Sequence, residues 1–327
     1  MQAERNTTDR NYTDEEIRLF VEDLESLPGG DLTVSLLVGC GERAIPPLQN
    51  FLLHGKPRGI FQPRQRAVEA LGQLNAKDVL MEYLSQKREI ADAVVRFGEE
   101  AVENTAAREL ARWLTDDVYT FLLARAEQRR LPGVIETLGK FERPEAAEVF
   151  IRALGDDVAR PVAEDALRRV AGRAKPALIQ AARRVVSGDD EKPSERQTRR
   201  SVMRILCELP LREREWAELK PLLRDRDKEI AILAAEIAVD SASSGEKREA
   251  AHFLIHSLAG VPWFLQTRIS DCLQRNYSSV CELLEEESKA RRRTVKGEPL
   301  SDPVVRILEK VRSEGEKCSL REQARNG

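Results

Sequence analysis

The feature that most constrains this chain is a block of sequence that occurs twice. The segment AVEALGQL, which begins at Ala67, aligns without a gap with VIETLGKF, which begins at Val134. The match continues where DVLMEYL from Asp78 aligns with EVFIRAL from Glu148. Self-similarity of this kind is typical of repeat proteins, in which each unit buries its apolar face by stacking on the next. The duplication therefore predicts a repeat architecture.

The duplicated block ends in a glycine-bearing segment. DAVVRF, just before Gly98, aligns with DALRRV, shortly before Gly172, and the two glycines begin GEEAVENTAAREL and GRAKPALIQAARR. We expect each glycine to separate two helices, because glycine often ends a helix. Four successive helices are then predicted to occur twice.

Hydrophobic spacing indicates the fold class. Apolar residues recur every three or four positions, and no alternating strand pattern is present. Aromatic residues make up only 5% of the chain, so that its apolar content is mostly aliphatic. We predict an all-α fold whose first helix follows Thr13, with Glu16 completing a capping box and Tyr12 packing on Ile17.

Two similar segments combine a glycine with proline. GERAIPPLQNFLL begins at Gly41, and GRAKPALIQAARR begins at Gly172. Proline inside a helix is unfavourable by about 3 kcal/mol, whereas in the first turn its missing N–H has no intrahelical partner to lose. We therefore predict that both glycines end a helix and that Pro46, Pro47 and Pro176 mark the start of the next one.

Several of these segments resemble HEAT repeats, in particular the bacterial type related to phycobilisome-lyase repeats. The resemblance is carried by RQRAVEALGQL, by the G-x-x-A-x-P-x-L helix start, and by the Asp-rich turn that leads into DRDKEIAILAAEIA at Asp225. It covers roughly residues 31–290 and implies a right-handed α–α superhelix of about six to seven helix pairs. Helix pairing over 99–128 stays open, because DDVYTFLLARAEQ has no obvious mate.

The domain organisation follows from the extent of the repeats. We predict a disordered N-terminal tail over 1–12 and a HEAT-like helical repeat domain over 13–290. Residues 291–327 are predicted to form a linker, a short helix in DPVVRILEKV and a disordered tail. Polar insertions at 55–63 and 187–195 are longer than repeat turns and are candidate partner contacts.

Charge and cysteine usage restrict the function class. The formal net charge is only -3 although 33% of residues are charged, so no strong field marks a nucleic-acid-binding protein. The five cysteines have no paired spacing, which indicates reduced thiols. The chain has neither a signal-peptide pattern nor a membrane-spanning apolar run. We expect a cytoplasmic protein without membrane insertion.

One histidine pair has a spacing that is found in metal sites. His252 and His256 are four residues apart, the spacing found in zinc proteases, but Phe253 stands where those enzymes need glutamate. Cys272 and Cys281 could supply further ligands. The interpretation is two partly buried helix histidines, with no metal and no cofactor. Because no catalytic arrangement or phosphate loop is evident, we predict a protein that is not an enzyme.

A set of basic residues provides the candidate binding surface. Two successive predicted helices carry it, as Arg168, Arg169, Arg173, Lys175, Arg183 and Arg184. Second helices line the concave face of HEAT-like solenoids, so the resemblance implies a surface for an anionic partner. The simpler interpretation is a solvated face with interspersed charges.

The resemblance implies a non-enzymatic scaffold or adaptor that binds another protein, whose identity stays open, along the concave surface. The first alternative is a nucleic-acid-binding HEAT-like protein of the alkylated-DNA glycosylase type, but Trp113, Trp216 and Trp263 are scattered and form no stacking platform. The second alternative is a tetrapyrrole lyase-like or chaperone role.

Overall fold

All regular structure described for this protein is helical, as predicted. The computed structural model describes residues 12–26, 30–184, 191–294 and 302–326, and these contain helices and no strands. None of the helices in these ranges has an apolar stretch that could span a membrane. The chain divides into two compact units, Met1–Val170 and Ala171–Gly327.

The helices of the first unit are short and follow one another closely. They are α1 (Asp14–Asp23), α2 (Gly30–Gly39), α3 (Ile45–His54), α4 (Gln62–Gln73), α5 (Lys77–Ser85), α6 (Ala93–Glu109), α7 (Asp116–Gln128), α8 (Pro132–Gly139) and α9 (Ala147–Ala153). Helix α10 (Arg160–Arg183) passes from the first unit into the second.

The second unit continues with helices of similar or greater length. They are α11 (Pro193–Cys207), α12 (Glu213–Leu219), α13 (Lys228–Ser241), α14 (Ser244–Ser257), α15 (Trp263–Arg275), α16 (Tyr277–Thr294) and α17 (Pro303–Asn326). Helix α13 is buried over most of its length, from Glu229 to Val239.

Alternate helices form a stacked layer within each unit. In the first unit α2, α4, α6 and α8 pack one on the next, and in the second unit α11, α13, α15 and α17 do the same. Aliphatic side chains such as Leu71, Val102 and Leu138 are fully buried in the first layer. Stacking of neighbouring repeats is what a solenoid requires, because no single helix pair encloses a core. The packing within each unit is consistent with an α-solenoid.

The structure resolves the pairing that the sequence left open over 99–128. Helix α7 packs against α8 and α9, and it follows the stacked helix α6 as α5 follows α4. Its Tyr119 ring lies 5.3 Å from the ring of Phe141, centroid to centroid. Helix α7 is therefore an intervening helix of the repeat.

The prediction of four helices in each copy of the duplicated block is wrong. Each copy forms three, α4 to α6 and α8 to α10, because Gly98 and Gly172 lie inside α6 and α10. A glycine inside a helix is unfavourable by only about 1 kcal/mol relative to alanine, and packing easily exceeds that. At Gly98 a Cβ would lie 3.1 Å from the Phe61 ring, so the glycine allows the preceding loop to approach.

The two glycine–proline segments have different structures. Gly41 adopts a φ of +64°, a short 3-10 turn follows, and α3 then begins with Pro46 and Pro47 in its first turn, as predicted. The prediction for Pro176 is wrong, because this residue lies inside the continuous helix α10. Buried residues on both sides of it, including Leu178, hold the chain in helical conformation despite the lost hydrogen bond.

The first helix has the predicted capping box. The Glu16 N–H donates to Thr13 Oγ1 at 3.3 Å, and the Thr13 N–H donates to Glu16 Oε2 at 2.7 Å. The Tyr12 ring makes an edge-on contact with Phe20, with the ring centroids 5.1 Å apart. Ile17 is buried in the core, and the packing of Tyr12 on it stays a prediction.

The end of the chain differs from the predicted short helix with a disordered tail. Helix α17 extends from Pro303 to Asn326 and packs on α15 and α16. Val304 and Leu308 are buried in that contact, which gives the helix an anchor that its local sequence does not reveal. Residues 1–11 of the predicted N-terminal tail and 187–190 of the 187–195 insertion lie outside the described residues.

Candidate functional site

Five of the six predicted partner-binding residues lie on α10 and Arg184 directly follows it, because the structure merges the two helices that were expected to carry them. In the first unit, Arg168 pairs with Asp165 at 3.3 Å and with Glu164 at 3.8 Å, both on the same helix. The Arg169 guanidinium lies beside Gly139 of α8, 3.5 Å from where a Cβ would be. These two arginines therefore take part in contacts within their own unit.

The basic residues of the second unit are balanced by acidic side chains of α12. Lys175 Nζ donates to the Pro210 carbonyl at 2.9 Å and lies 3.3 Å from Glu215 Oε2. Arg183 Nη1 lies 2.6 Å from Glu218 Oε2. Arg173 and Arg184 are exposed. The surface around Lys175 and Arg183 is thus close to neutral, which weakens it as a site for an anionic partner.

A second charged region lies entirely in the first unit, and we call it the charged groove. It runs between the loop 86–90 and helices α6 and α7. Helix α6 contributes three carboxylates and one guanidinium group, and the opposite side contributes one ammonium and three guanidinium groups. The charged residues that line it are Glu99, Glu100, Glu103, Lys87, Arg88, Arg96, Arg125 and Arg129.

At one end of the charged groove, the buried carboxylate of Glu99 accepts four hydrogen bonds. Arg64 donates to it through Nε at 3.1 Å and Nη2 at 3.0 Å, Arg88 Nη1 donates at 2.6 Å, and the Tyr83 hydroxyl donates at 2.8 Å. Burial and the Glu99 charge raise the pKa of Tyr83, so its hydroxyl stays protonated and donates. A carboxylate with four donors is held rigidly, which makes this end a structural support.

At the other end, the buried carboxylate of Glu103 has fewer close partners. Arg129 Nη1 donates to it at 2.7 Å, while Arg125 Nη2 lies 3.6 Å away. Burial raises the pKa of Glu103 despite the nearby charges of Arg129 and Arg125. Among the described residues the buried Nε of Arg125 has no hydrogen-bond acceptor. Arg129, whose side chain is 38% exposed, is the cation at this end that a ligand can reach.

Beside the charged groove is a group of exposed apolar side chains, which we call the apolar patch. It consists of Ile60, Val94 and Phe97, which are 63%, 68% and 71% exposed. The loop holding Ile60 lies on the start of α6, since a Cβ on Gly59 would be 3.7 Å from Val94 Cγ1. Val94 and Phe97 are one turn apart on α6, the helix that supplies the carboxylates of the groove. The apolar patch and the charged groove therefore lie side by side.

The histidine pair has a neighbour that sequence reasoning missed. His252 Nε2 and His256 Nε2 are 3.2 Å apart, and Glu287 of α16 places its two carboxylate oxygens 3.1 Å and 3.4 Å from them. Glu287 is four residues from Arg291, so its spacing in the sequence indicates a helical ion pair and not a contact with the histidines. The three side chains meet only because α14 packs on α16.

The two cysteines considered as additional ligands lie elsewhere. Cys272 is buried in α15, where burial and the Glu236 charge raise the pKa of its thiol. The Cys281 thiol faces the carbonyl of Ser278, on its own helix, at 3.9 Å. Within the part of the chain that the structure describes, neither sulfur joins the histidines in a group with metal-ligand spacing.

Sequence signals for the charged groove were present but incomplete. Glu99 and Glu103 are four residues apart and lie on one face of α6. Arg125 and Arg129 have the same spacing, but Arg129 follows the last residue of α7 in an extended conformation. In the sequence, Arg64 stands out only as the first residue of the HEAT-like segment RQRAVEALGQL. Charged residues on a helix normally indicate a solvated face, and their burial here depends on which helices stack.

In the described ranges, the charged groove and the adjacent apolar patch form a surface suited to binding. Neither a protein-family model nor a curated protein matches the chain. Two observations therefore indicate the fold: the resemblance of the sequence to HEAT repeats and the stacking of helices within each unit. The observations establish an all-helical protein with packing consistent with an α-solenoid.

Proposed function

We propose that this protein is a non-enzymatic scaffold or adaptor that binds another protein through the apolar patch and the adjoining charged groove. The observation that carries the proposal is the exposure of three large apolar side chains, two of them on α6, the helix that also lines the charged groove. The six basic residues on and directly after α10 are secondary candidates, because Lys175 and Arg183 already have acidic neighbours.

The apolar patch has the character of a protein-binding surface. An exposed phenylalanine among other apolar residues loses unfavourable contact with water when a partner covers it. Aromatic side chains at the centre of an interface often contribute a large part of the binding energy. Phe97 is the most exposed of the three and lies on α6, whose other side is held in the stacked layer. A rigid helix presents it at little conformational cost.

The charged groove supports the choice of partner chemistry. A carboxylate on the partner can approach the partly exposed guanidinium of Arg129, while apolar side chains of the same segment cover Val94 and Phe97. The expected ligand is a protein segment with apolar residues and a single acidic group.

The repeat architecture supports the same function. Stacked helices present a long, preformed surface, and this is the usual use of a solenoid. We propose that the stack is a right-handed superhelix of the HEAT type, with its partner on the surface formed by neighbouring repeats. The resemblance of the sequence to HEAT repeats supports this assignment by analogy of fold.

The test compares partner recovery by the wild-type protein with that by Phe97→Asp in affinity purification from the native organism, with mass spectrometry of the bound proteins. We expect the Phe97→Asp variant to lose a protein that the wild type retains, because a carboxylate at this position prevents apolar contact. Leu114→Asp is the matched control, since Leu114 is also exposed, at 54%, but lies outside the apolar patch.

The recovered partner is then titrated against purified variants. Arg129→Gln is expected to weaken its binding by roughly tenfold, in keeping with the loss of one charge-assisted contact. Equal recovery by the wild type, Phe97→Asp and Leu114→Asp would contradict the proposed surface. Circular dichroism of each variant checks that the helical fold is retained.

A further inference from the structure

The histidine pair of α14 and Glu287 of α16 form a group that the proposed binding function does not use. Their nitrogen and oxygen atoms lie within 4.8 Å of one another, and both helices belong to the second unit. From this convergence we propose that His252, His256 and Glu287 bind a divalent transition-metal ion, with Zn²⁺ as the preferred ion. The proposal is independent of the partner-binding surface in the first unit.

Hydrogen bonding alone leaves this arrangement unsatisfied. The three contacts join His252 Nε2, His256 Nε2 and the Glu287 carboxylate in a closed triangle. If both nitrogens carry a proton they can donate to Glu287, but the two N–H groups then oppose each other. If only one carries a proton, the lone pair of the other faces a carboxylate oxygen. While Glu287 is ionised, each of these two arrangements has one repulsive contact, whereas a cation placed between the atoms is attracted to all three.

The separations agree with a tetrahedral zinc site. Zinc binds imidazole nitrogen and carboxylate oxygen at about 2.0–2.1 Å, so two ligands of a tetrahedron are about 3.3 Å apart. The observed separations are 3.2 Å between the nitrogens and 3.1 Å and 3.4 Å from the nitrogens to the carboxylate. No rearrangement of the helices is needed to bring the three groups to bonding distance of one ion.

The exposure of the group indicates how the ion would be held. The two histidine side chains are about half exposed, while Glu287 is mostly buried. Helix α14 buries Ala251, Leu254 and Ile255 on the opposite side, which fixes the position of the histidines. Because the two histidines are reached by solvent, the three protein ligands leave a fourth coordination position for water. This is the arrangement of an open zinc site.

The test is a zinc titration of the full-length protein by calorimetry, with His252→Ala, His256→Ala and Glu287→Gln as variants. Wild-type protein is expected to bind one equivalent of Zn²⁺, and each variant to lose more than about 100-fold in affinity, since loss of a direct ligand exceeds the 10–100-fold effect of its supporting residues. His54→Ala and Glu286→Gln are matched controls, because they remove the remaining histidine and the acid next to Glu287.

Two spectroscopic measurements report the coordination geometry and the identity of the ligands. Co²⁺ in place of Zn²⁺ is expected to give the intense visible absorption of a four-coordinate site, and the ¹⁵N resonances of the histidine side chains should shift for His252 and His256 while His54 is unchanged. Absence of stoichiometric Zn²⁺ binding to the wild type, or equal binding by wild type and His252→Ala, overturns the proposal. A weak six-coordinate Co²⁺ spectrum overturns the tetrahedral geometry.

Discussion

The two glycine–proline segments begin with similar sequences and fold in opposite ways. At Gly41 the chain leaves one helix through a left-handed residue, and Pro46 and Pro47 begin the next helix. At Gly172 and Pro176 no interruption occurs, and α10 runs through both residues from Arg160 to Arg183. A local signal for a helix boundary is thus decisive in one place and overruled in the other.

The difference shows which free energies compete at such a segment. Proline and glycine each disfavour a helix interior, together by about 4 kcal/mol relative to alanine. In α10 the buried residues Ala174, Leu178 and Ala182 lie on one face of the helix, and their packing exceeds this penalty. At Gly41 the chain changes direction, so the boundary signal and the packing agree.

The largest expected effect is at Pro176. Because proline removes one helical hydrogen bond and clashes with the preceding turn, Pro176→Ala is expected to raise the free energy of unfolding by about 1–3 kcal/mol. The measurement is urea denaturation followed by circular dichroism. A decrease in stability would indicate that the helix depends on the proline. This would contradict the conclusion that packing holds α10 together despite Pro176.

The change at Gly41 should act in the opposite direction. Its φ of +64° is unfavourable for a residue with a Cβ by roughly 1–2 kcal/mol. Gly41→Ala is therefore expected to lower the free energy of unfolding by about 1 kcal/mol, even though the added Cβ would have no atom within 4 Å. An unchanged denaturation midpoint would show that the turn relaxes.

Gly172→Ala is the matched counterpart of Gly41→Ala. A Cβ at Gly172 also meets nothing within 4 Å, but here the backbone is helical. The substitution is expected to stabilise the protein by about 0.5–1 kcal/mol, because alanine has the higher helix propensity. Thermal and urea unfolding of the two alanine variants, measured side by side, test the opposite signs. Two shifts of the same sign would remove the distinction between the segments.

The smallest effect is expected at Pro47. Proline in the first turn of α3 limits the conformations of the unfolded chain without removing an intrahelical bond. Pro47→Ala is therefore expected to destabilise by about 0.4–1 kcal/mol, the reverse of Pro176→Ala. The measurement is the same urea denaturation. A stabilising result would show that Pro47, like Pro176, is unfavourable in its helix.

The candidate sites separate local from long-range information in the same way. The capping box of Thr13 and Glu16 was predicted correctly, because both of its hydrogen bonds join residues three positions apart. The convergence of Glu287 on two histidines was missed, because it joins different helices. Arg125 gave no signal of its unpaired nitrogen, since burial depends on the helices around it.

The sequence by itself determined that this chain is all-helical, that it is built from a duplicated block, and where Pro46 and Pro47 start a helix. These properties follow from apolar spacing and from backbone preferences of single residues, which act over a few positions. Only the tertiary structure decided that α10 is continuous, that basic residues on it face carboxylates of α12, and that the charged groove runs along the helix that carries Phe97. Those outcomes depend on packing between distant segments, whose free energy exceeds the local preferences it overrides.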